Sequence, residues 1–160
     1  MKKNRIYFIG IGGIGMSALA RYFLDEGWTV GGYDRAESDL TRRLSDAGAK
    51  IHYEDDVKLI PDEFLDPELT AVVYTPAVPA EHTEFTMFRE RGFEVMKRSQ
   101  MLGLLSQGKY VMAVAGTHGK TTTSTLVAWL NRRAAGEGSA FLGGVSKNFG
   151  GNLVSGEGKR

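Results

Sequence analysis

Four apolar residues, Ile6-Tyr7-Phe8-Ile9, run straight into Gly10-Ile11-Gly12-Gly13-Ile14-Gly15, and an amphipathic stretch from Met16 to Glu26 follows. Glycines at 10, 12 and 15 carry meaning together in this order of strand, turn and helix. The first permits a tight turn. The second lets the backbone approach a ligand's phosphates, and the third lets the helix pack close to the strand. Free amides at the helix start, and the helix dipole, favour the negative charge of phosphates. The turn is therefore expected to hold a phosphate-bearing ligand, whose identity the pattern leaves open.

The continuation is read from periodicity. Ile14, Ala18 and Tyr22 recur every four residues, as do Gly15, Leu19 and Phe23, which is the apolar face of a helix. Gly27 caps it. Trp28 to Tyr33 reads as a second strand, weakened by Gly31 and Gly32 and closed by Asp34. Ser38 fits the N-cap of a helix carrying Leu40, Leu44 and Ala47. A third short strand is expected at 50–53, an irregular turn between Pro61 and Pro67, and a fourth strand from Leu69 to Tyr74. Thr75-Pro76-Ala77-Val78-Pro79 holds too much proline to continue a sheet. A helix over Glu81–Arg91, a strand over Phe93–Met96 and a helix over Ser99–Leu105 complete the alternation. Such alternation predicts an α/β fold, a Rossmann-like open parallel sheet covered on both faces with right-handed crossovers.

Gln107-Gly108-Lys109 reads as a linker, and the pattern then restarts. Tyr110–Ala115 is expected as a strand, Gly116-Thr117-His118-Gly119-Lys120-Thr121-Thr122 as a second glycine turn, and Ser124–Arg133 as a helix. Ala140-Phe141-Leu142 fits a short strand, while the glycine-rich stretch from Gly143 onward fits no element. These pieces cannot enclose a core. Residues 1–108 are thus expected to form a Rossmann-like domain, and 109–160 the incomplete start of a P-loop α/β domain.

Composition excludes several classes. The absence of cysteine rules out disulfides and thiolate metal sites. Twenty basic against 19 acidic residues argue against nucleic acid or an anionic membrane as the main partner. The basic Met1-Lys2-Lys3-Asn4-Arg5 resembles the start of a signal peptide, but glycines interrupt the apolar run behind it. No apolar run approaches the roughly 20 residues of a membrane span, so a soluble, cytoplasmic protein is expected.

Gly119-Lys120-Thr121 between a strand and a helix has the chemistry of a P-loop. Backbone amides wrap phosphates, the lysine reaches the outer phosphates and the threonine hydroxyl binds Mg²⁺. The strict spacing would place glycine at 114, where Val114 stands; Gly116 supplies flexibility instead. His118 fits either a ligand contact or a turn-shaping role. His52 and His82 show no ligand spacing and fit packing or surface roles. Asp34 fits a ribose contact in an NAD site, a contact to another nucleoside, or a plain turn. The Thr75–Pro79 loop fits a phosphate contact or a rigid turn without function. An NAD(P)-binding module of an oxidoreductase and a non-catalytic nucleotide-binding regulatory domain both remain open on the residues alone.

Four stretches together resemble the Mur ligase family of peptidoglycan synthesis. They are Phe8–Ser17, Tyr74–Pro79, Arg98-Ser99-Gln100-Met101-Leu102, and Ala115-Gly116-Thr117-His118-Gly119-Lys120-Thr121-Thr122-Thr123. The resemblance implies a first domain for a UDP-sugar, a central ATPase and a third domain for the amino acid. It implies UDP-N-acetylmuramate, L-alanine and ATP with Mg²⁺ as substrates and cofactors, the L-alanine site lying outside these residues. It further implies that Gly12, Gly13, Ile14, Gly15 and Ser17 line the sugar diphosphate and that Asp34 lies near the uridine. Thr75, Ala77 and Val78 would form the opposite wall. Gly116, Thr117, His118, Gly119, Lys120, Thr121 and Thr122 would bind ATP, with Lys120 catalytic and Thr121 on the metal. Gly143-Gly144 with Asn148 and Asn152 resemble a substrate-facing loop. No turnover is expected from these 160 residues, with ATP binding weak or lost and UDP-sugar binding retained.

Overall fold

A computed structural model describes residues 3–134 and 138–156. Five strands, β1 (Arg5–Ile9), β2 (Thr29–Tyr33), β3 (Lys50–His52), β4 (Thr70–Tyr74) and β5 (Glu94–Lys97), form a wholly parallel sheet in the order β3-β2-β1-β4-β5. The connections are α1 (Ile14–Asp25), α2 (Asp39–Asp46), two 3₁₀ turns at Val57–Leu59 and Asp62–Phe64, and α3 (Thr83–Glu90). Helix α4 (Arg98–Ser106) follows β5 without a loop. The Rossmann-like expectation holds.

Alternation along β1 builds two cores. Ile6 and Phe8 face a layer from α1, α2 and α4, with Met16, Leu19, Phe23, Leu44 and Met101. Tyr7 and Ile9 face Phe64, Phe85, Phe88 and Phe93, from the second 3₁₀ turn, α3 and the chain behind it. All four β1 side chains are fully buried. The glycine pair in β2 makes room on both faces: a Cβ at Gly31 would lie 2.6 Å from the Phe64 ring, and one at Gly32 would lie 2.4 Å from the Phe8 carbonyl oxygen. Ser38 caps α2 by accepting from the Thr41 amide, and Thr41 returns a bond to the Ser38 amide.

The remainder is smaller. Helix α5 (Lys120–Ala134) starts earlier than the periodicity predicts, because Lys120–Thr123 already belong to its first turn. The antiparallel hairpin β6 (Ala140–Ser146) and β7 (Gly151–Val154) packs against α1 and α5. Its small core joins Ala128, Leu142 and Val154. The strand expected at Tyr110–Ala115 is not formed. That segment has no neighbouring strand to pair with, and Tyr110 is 93 % exposed. Conversely, β7 and the second half of β6 lie where the sequence turns rich in glycine, serine and asparagine and fits no expected element.

Candidate functional site

Strand order reverses at β1, between β2 and β4. Loops leaving the carboxyl ends of neighbouring strands diverge there, and open α/β sheets bind ligands in that crevice. Here the two loops are Gly10–Gly13, after β1, and Thr75–Pro79, after β4. Gly10 takes φ +87°, and its missing Cβ would lie 2.6 Å from Cγ2 of Thr75, so glycine lets the two walls meet. Val78 also borders Gly10, and Ala77 belongs to the exposed turn beside it.

The turn is anchored from the β2 side. Backbone amides of Gly10 and Ile11 donate to the Tyr33 carbonyl, and the Gly12 amide donates to Oδ2 of Asp34 at 2.7 Å. Asp34 thus fastens the loop itself, and the Gly12 amide is spent on it. Ile14, Gly15 and Met16 open α1, where amides have no intrahelical carbonyl to pair with. Ser17 is buried, and its hydroxyl donates to the Ile14 carbonyl.

One residue missing from the sequence-derived set stands at this helix start. A Cβ built on Gly15 would lie 2.9 Å from Nη1 of Arg98 and 3.0 Å from its Cζ. The Arg98 side chain, from the first residue of α4, therefore crosses the first turn of α1, and among the described residues it makes no hydrogen bond or ion pair. A guanidinium over a helix N-terminus adds its charge to the attraction that the helix start already has for an anion. The Arg98-Ser99-Gln100 motif carries part of the family resemblance, but only the fold brings β5's far end beside β1's.

The second loop is exposed throughout. Nζ of Lys120 donates to the carbonyls of Gly116 and Thr117 at 2.5 and 3.1 Å, so the lysine folds over its own turn. Gly119 takes φ +74°. Thr117, His118 and Thr122 are exposed. Thr121 lies against β6: a Cβ on Gly143 would come within 3.1 Å of its hydroxyl. Among the described residues no group of three or more His, Asp and Glu could hold a metal.

His52 and His82, far apart in sequence, meet in one buried polar cluster. The Tyr7 hydroxyl lies 2.6 Å from Nε2 of His52 and 2.8 Å from Oε2 of Glu84. Glu84 is 0 % exposed, and burial pushes its carboxyl up to about 8. Nδ1 of His52 faces the Glu54 carbonyl and so carries hydrogen. The Tyr7 hydroxyl donates to Oε2 of Glu84, and its oxygen lies beside Nε2 of His52. Burial holds both histidines below their ordinary range and pushes the Tyr7 phenol up. Asp55 accepts from the Thr83 hydroxyl and from the amides of Thr83 and Glu84, which caps α3 from outside. The cluster fixes α3 and β3 to β1, the packing role expected for the histidines.

The profile described as Mur ligase family, catalytic domain, matches residues 5–110, the whole five-stranded sheet and the switch-point crevice. The chain belongs to the Mur ligase family. The UDP-N-acetylmuramate--L-alanine ligase of Phocaeicola vulgatus is 60 % identical over 149 residues, 93 % of this chain and 32 % of the relative. The enzyme of that name from Parabacteroides distasonis is 56 % identical over 153 residues, 96 % of this chain and 33 % of the relative. Among solved structures, UDP-N-acetylmuramate-alanine ligase from Thermotoga maritima superposes with TM-score 0.84 at 32 % identity, over 96 % of this chain and 35 % of that one. A UDP-N-acetylmuramate:L-alanyl-gamma-D-glutamyl-meso-diaminopimelate ligase from Neisseria meningitides gives 0.84 at 28 % identity, over 94 % and 46 %. The chain spans about a third of the length of the curated relatives it matches. Within this Mur ligase family member, the glycine loop, the Thr75–Pro79 loop and Arg98 fall inside the matched residues, and the Gly116–Thr122 turn lies beyond them. No described helix is long and apolar enough to cross a membrane.

Proposed function

We propose that this chain is the UDP-sugar-binding domain, residues 1–108, and the opening of the ATPase domain, residues 109–160, of a ligase joining UDP-N-acetylmuramate to L-alanine. The observation that carries the reading is 60 % identity to a relative of that name across nearly the whole chain. The family match to ligases gives no support to an NAD(P) oxidoreductase. It equally disfavours a regulatory domain without chemistry.

In this reading the diphosphate sits over the start of α1. Amides of Ile14 and Gly15 donate to it, Gly13 lines it, and the Arg98 guanidinium neutralises it in the bidentate geometry that phosphate favours. Gly12 keeps its place as the point of closest approach, although its amide holds Asp34. Asp34 stiffens the loop and borders the nucleoside, while Thr75, Ala77 and Val78 close the far wall. Ser17 supports the turn from beneath.

The P-loop residues fit a nucleoside triphosphate: the turn is glycine-built, Lys120 is a donor with only carbonyl partners, and Gly143 leaves open the space beside Thr121. Lys120 would hold the phosphates and Thr121 the Mg²⁺, with Gly116, Thr117, His118, Gly119 and Thr122 shaping the cradle. ATP with Mg²⁺ supplies the activation of the muramate carboxylate that lets the alanine amine attack. The Lys120 contribution is to position and neutralise. In the cytoplasm, where ATP and UDP-sugars are available, this chemistry serves cell-wall synthesis. Among the described residues the segment 110–115 ahead of this turn pairs with no strand, so these 160 residues are expected to bind the UDP-sugar without turnover.

Thermal-shift titration with UDP-N-acetylmuramate, NADH and Mg-ATP, each alone, tests the reading. Stabilisation by the UDP-sugar is expected, with little or none from the other two. Stabilisation by NADH but not the UDP-sugar contradicts it. In a longer chain containing these residues, alanine-dependent phosphate release is expected.

A further inference from the structure

The turn after β1 and the turn before α5 are physically joined through the β6–β7 hairpin, and Asn152 carries its hydrogen bonds to the first turn of α1. Asn152, in β7, is 7 % exposed. Its amide nitrogen donates to the Ile14 carbonyl and, at 2.8 Å, to Oγ of Ser17. Both hydrogens of that nitrogen are used, and both acceptors belong to the first turn of α1. A buried donor that lost them would be left unpaired, so Asn152 follows that turn when it moves. On the same hairpin, Phe141 pairs with Leu153 in register and packs its ring 5.5 Å from Tyr22 of α1. Two residues on, Gly143 and Gly144 lie against the P-loop end of α5. A Cβ on Gly143 would be 3.1 Å from Oγ1 of Thr121, and one on Gly144 would be 3.3 Å from its Cγ2. The hairpin register is irregular between Phe141 and Ser146, where this contact is made.

We propose that the β6–β7 hairpin couples the glycine loop to the P-loop, with Asn152 as the positioning residue at the α1 end and the Gly143-Gly144 pair at the Thr121 end. The assignment of ligands to the two loops rests on the reading given above; the mechanical link does not. A ligand that settles on the first turn of α1 shifts Ile14 and Ser17. Asn152 carries that shift into β7, the pairing passes it to β6, and Thr121 is displaced or seated. Such a link lets the enzyme ready its ATP loop according to whether the sugar substrate is held.

The test uses amide spectra of the 160-residue protein. Gly143→Ala pushes on Thr121 without touching α1. Shifted amides are expected at Gly116–Thr122 and also at Ile14–Ser17, more than 100 positions away in sequence. In the Asn152→Asp background, which keeps size but loses both donor hydrogens, the response at Ile14–Ser17 is expected to vanish while that at Gly116–Thr122 remains. If Gly143→Ala leaves Ile14–Ser17 unmoved, or if Asn152→Asp leaves the response intact, the coupling is overturned whatever the loops bind. UDP-N-acetylmuramate is then added to the parent protein. Shifts at Ile14–Ser17 that spread to Gly116–Thr122, and are lost in Asn152→Asp, extend the coupling to substrate. Shifts confined to α1 overturn the coupling and leave the ligand reading standing. Absence of any shift overturns the ligand reading alone, the coupling being decided by the ligand-free arm.

Discussion

The glycine loop after β1 has β2 on one side and β4 on the other, and its amides are anchored to Tyr33 and Asp34. The Gly116–Gly119 turn before α5 follows an extended segment that, among the described residues, pairs with no strand, and Lys120 there bonds to the carbonyls of that turn. Local chemistry is similar in the two: glycine, free amides, a helix start and a cation. The surroundings differ. Ile6 to Ile9 are wholly buried behind the first loop, whereas Tyr110, Val111 and Met112 are exposed ahead of the second. Helix α5 likewise exposes Leu126, Trp129 and Leu130. A motif states which ligand chemistry is possible; the sheet behind it decides whether the motif is held in place.

The comparison breaks most readily through the core. Phe88→Ala, in the fully buried face of α3, is expected to cost about 3–5 kcal/mol in urea unfolding. A loss below about 1 kcal/mol would mean that the sheet region is less well packed than its burial suggests.

The buried cluster gives the next largest effect, and its sign follows from the raised carboxyl. Glu84 has its pKa lifted by burial from 4.5 to about 8, so the folded chain keeps a proton that the unfolded chain releases. Its stabilisation is complete below about 4.5 and is lost as pH rises through about 8. His52 and His82 act oppositely. Burial lowers both, so their contribution is present above about 6.5 and is lost as pH falls through their folded values. Glu84→Gln should flatten the alkaline limb of a stability–pH profile, by an amount on the order of a few kcal/mol. An unchanged alkaline limb would contradict a Glu84 carboxyl raised by burial.

Smaller effects sharpen the contrast. Ser38→Ala removes the cap of α2 and is expected to cost about 1 kcal/mol. Leu130→Ala, at a position 59 % exposed on α5, should move stability by no more than about 0.5 kcal/mol. A larger loss there would show that α5 is covered in solution, by a neighbouring copy for instance.

Much of the first region was legible in the sequence because burial there is local and periodic. Period two in β1 and period four in α1 each report a real face, and Ser38 announced its cap. The β2 glycines read as weakness, yet they are clearances for Phe64 and for the Phe8 carbonyl, which only a packed sheet reveals. Tyr110–Ala115 misled for the converse reason: an apolar run signals a strand only where another strand can receive it. The hairpin was missed because Gly143-Gly144 and Gly150-Gly151 carry no alternation; its order comes from α1 and α5. At the site, the glycines and Asp34 were readable from spacing. Arg98 was not, because its place over Gly15 depends on α4 starting directly at the end of β5. The union of His52, Glu84 and His82 likewise depends on non-local strand and helix placement.

The central claim is that the crevice at the reversal of strand order holds a UDP-sugar diphosphate between the start of α1 and Arg98. Calorimetric titration of UDP-N-acetylmuramate into the parent protein and into Arg98→Ala tests it directly. One-to-one binding to the parent is predicted, weakened by about 10–100-fold when the charged contact is removed. Equal affinity for both proteins, or no binding to a parent chain that binds NADH instead, would contradict it.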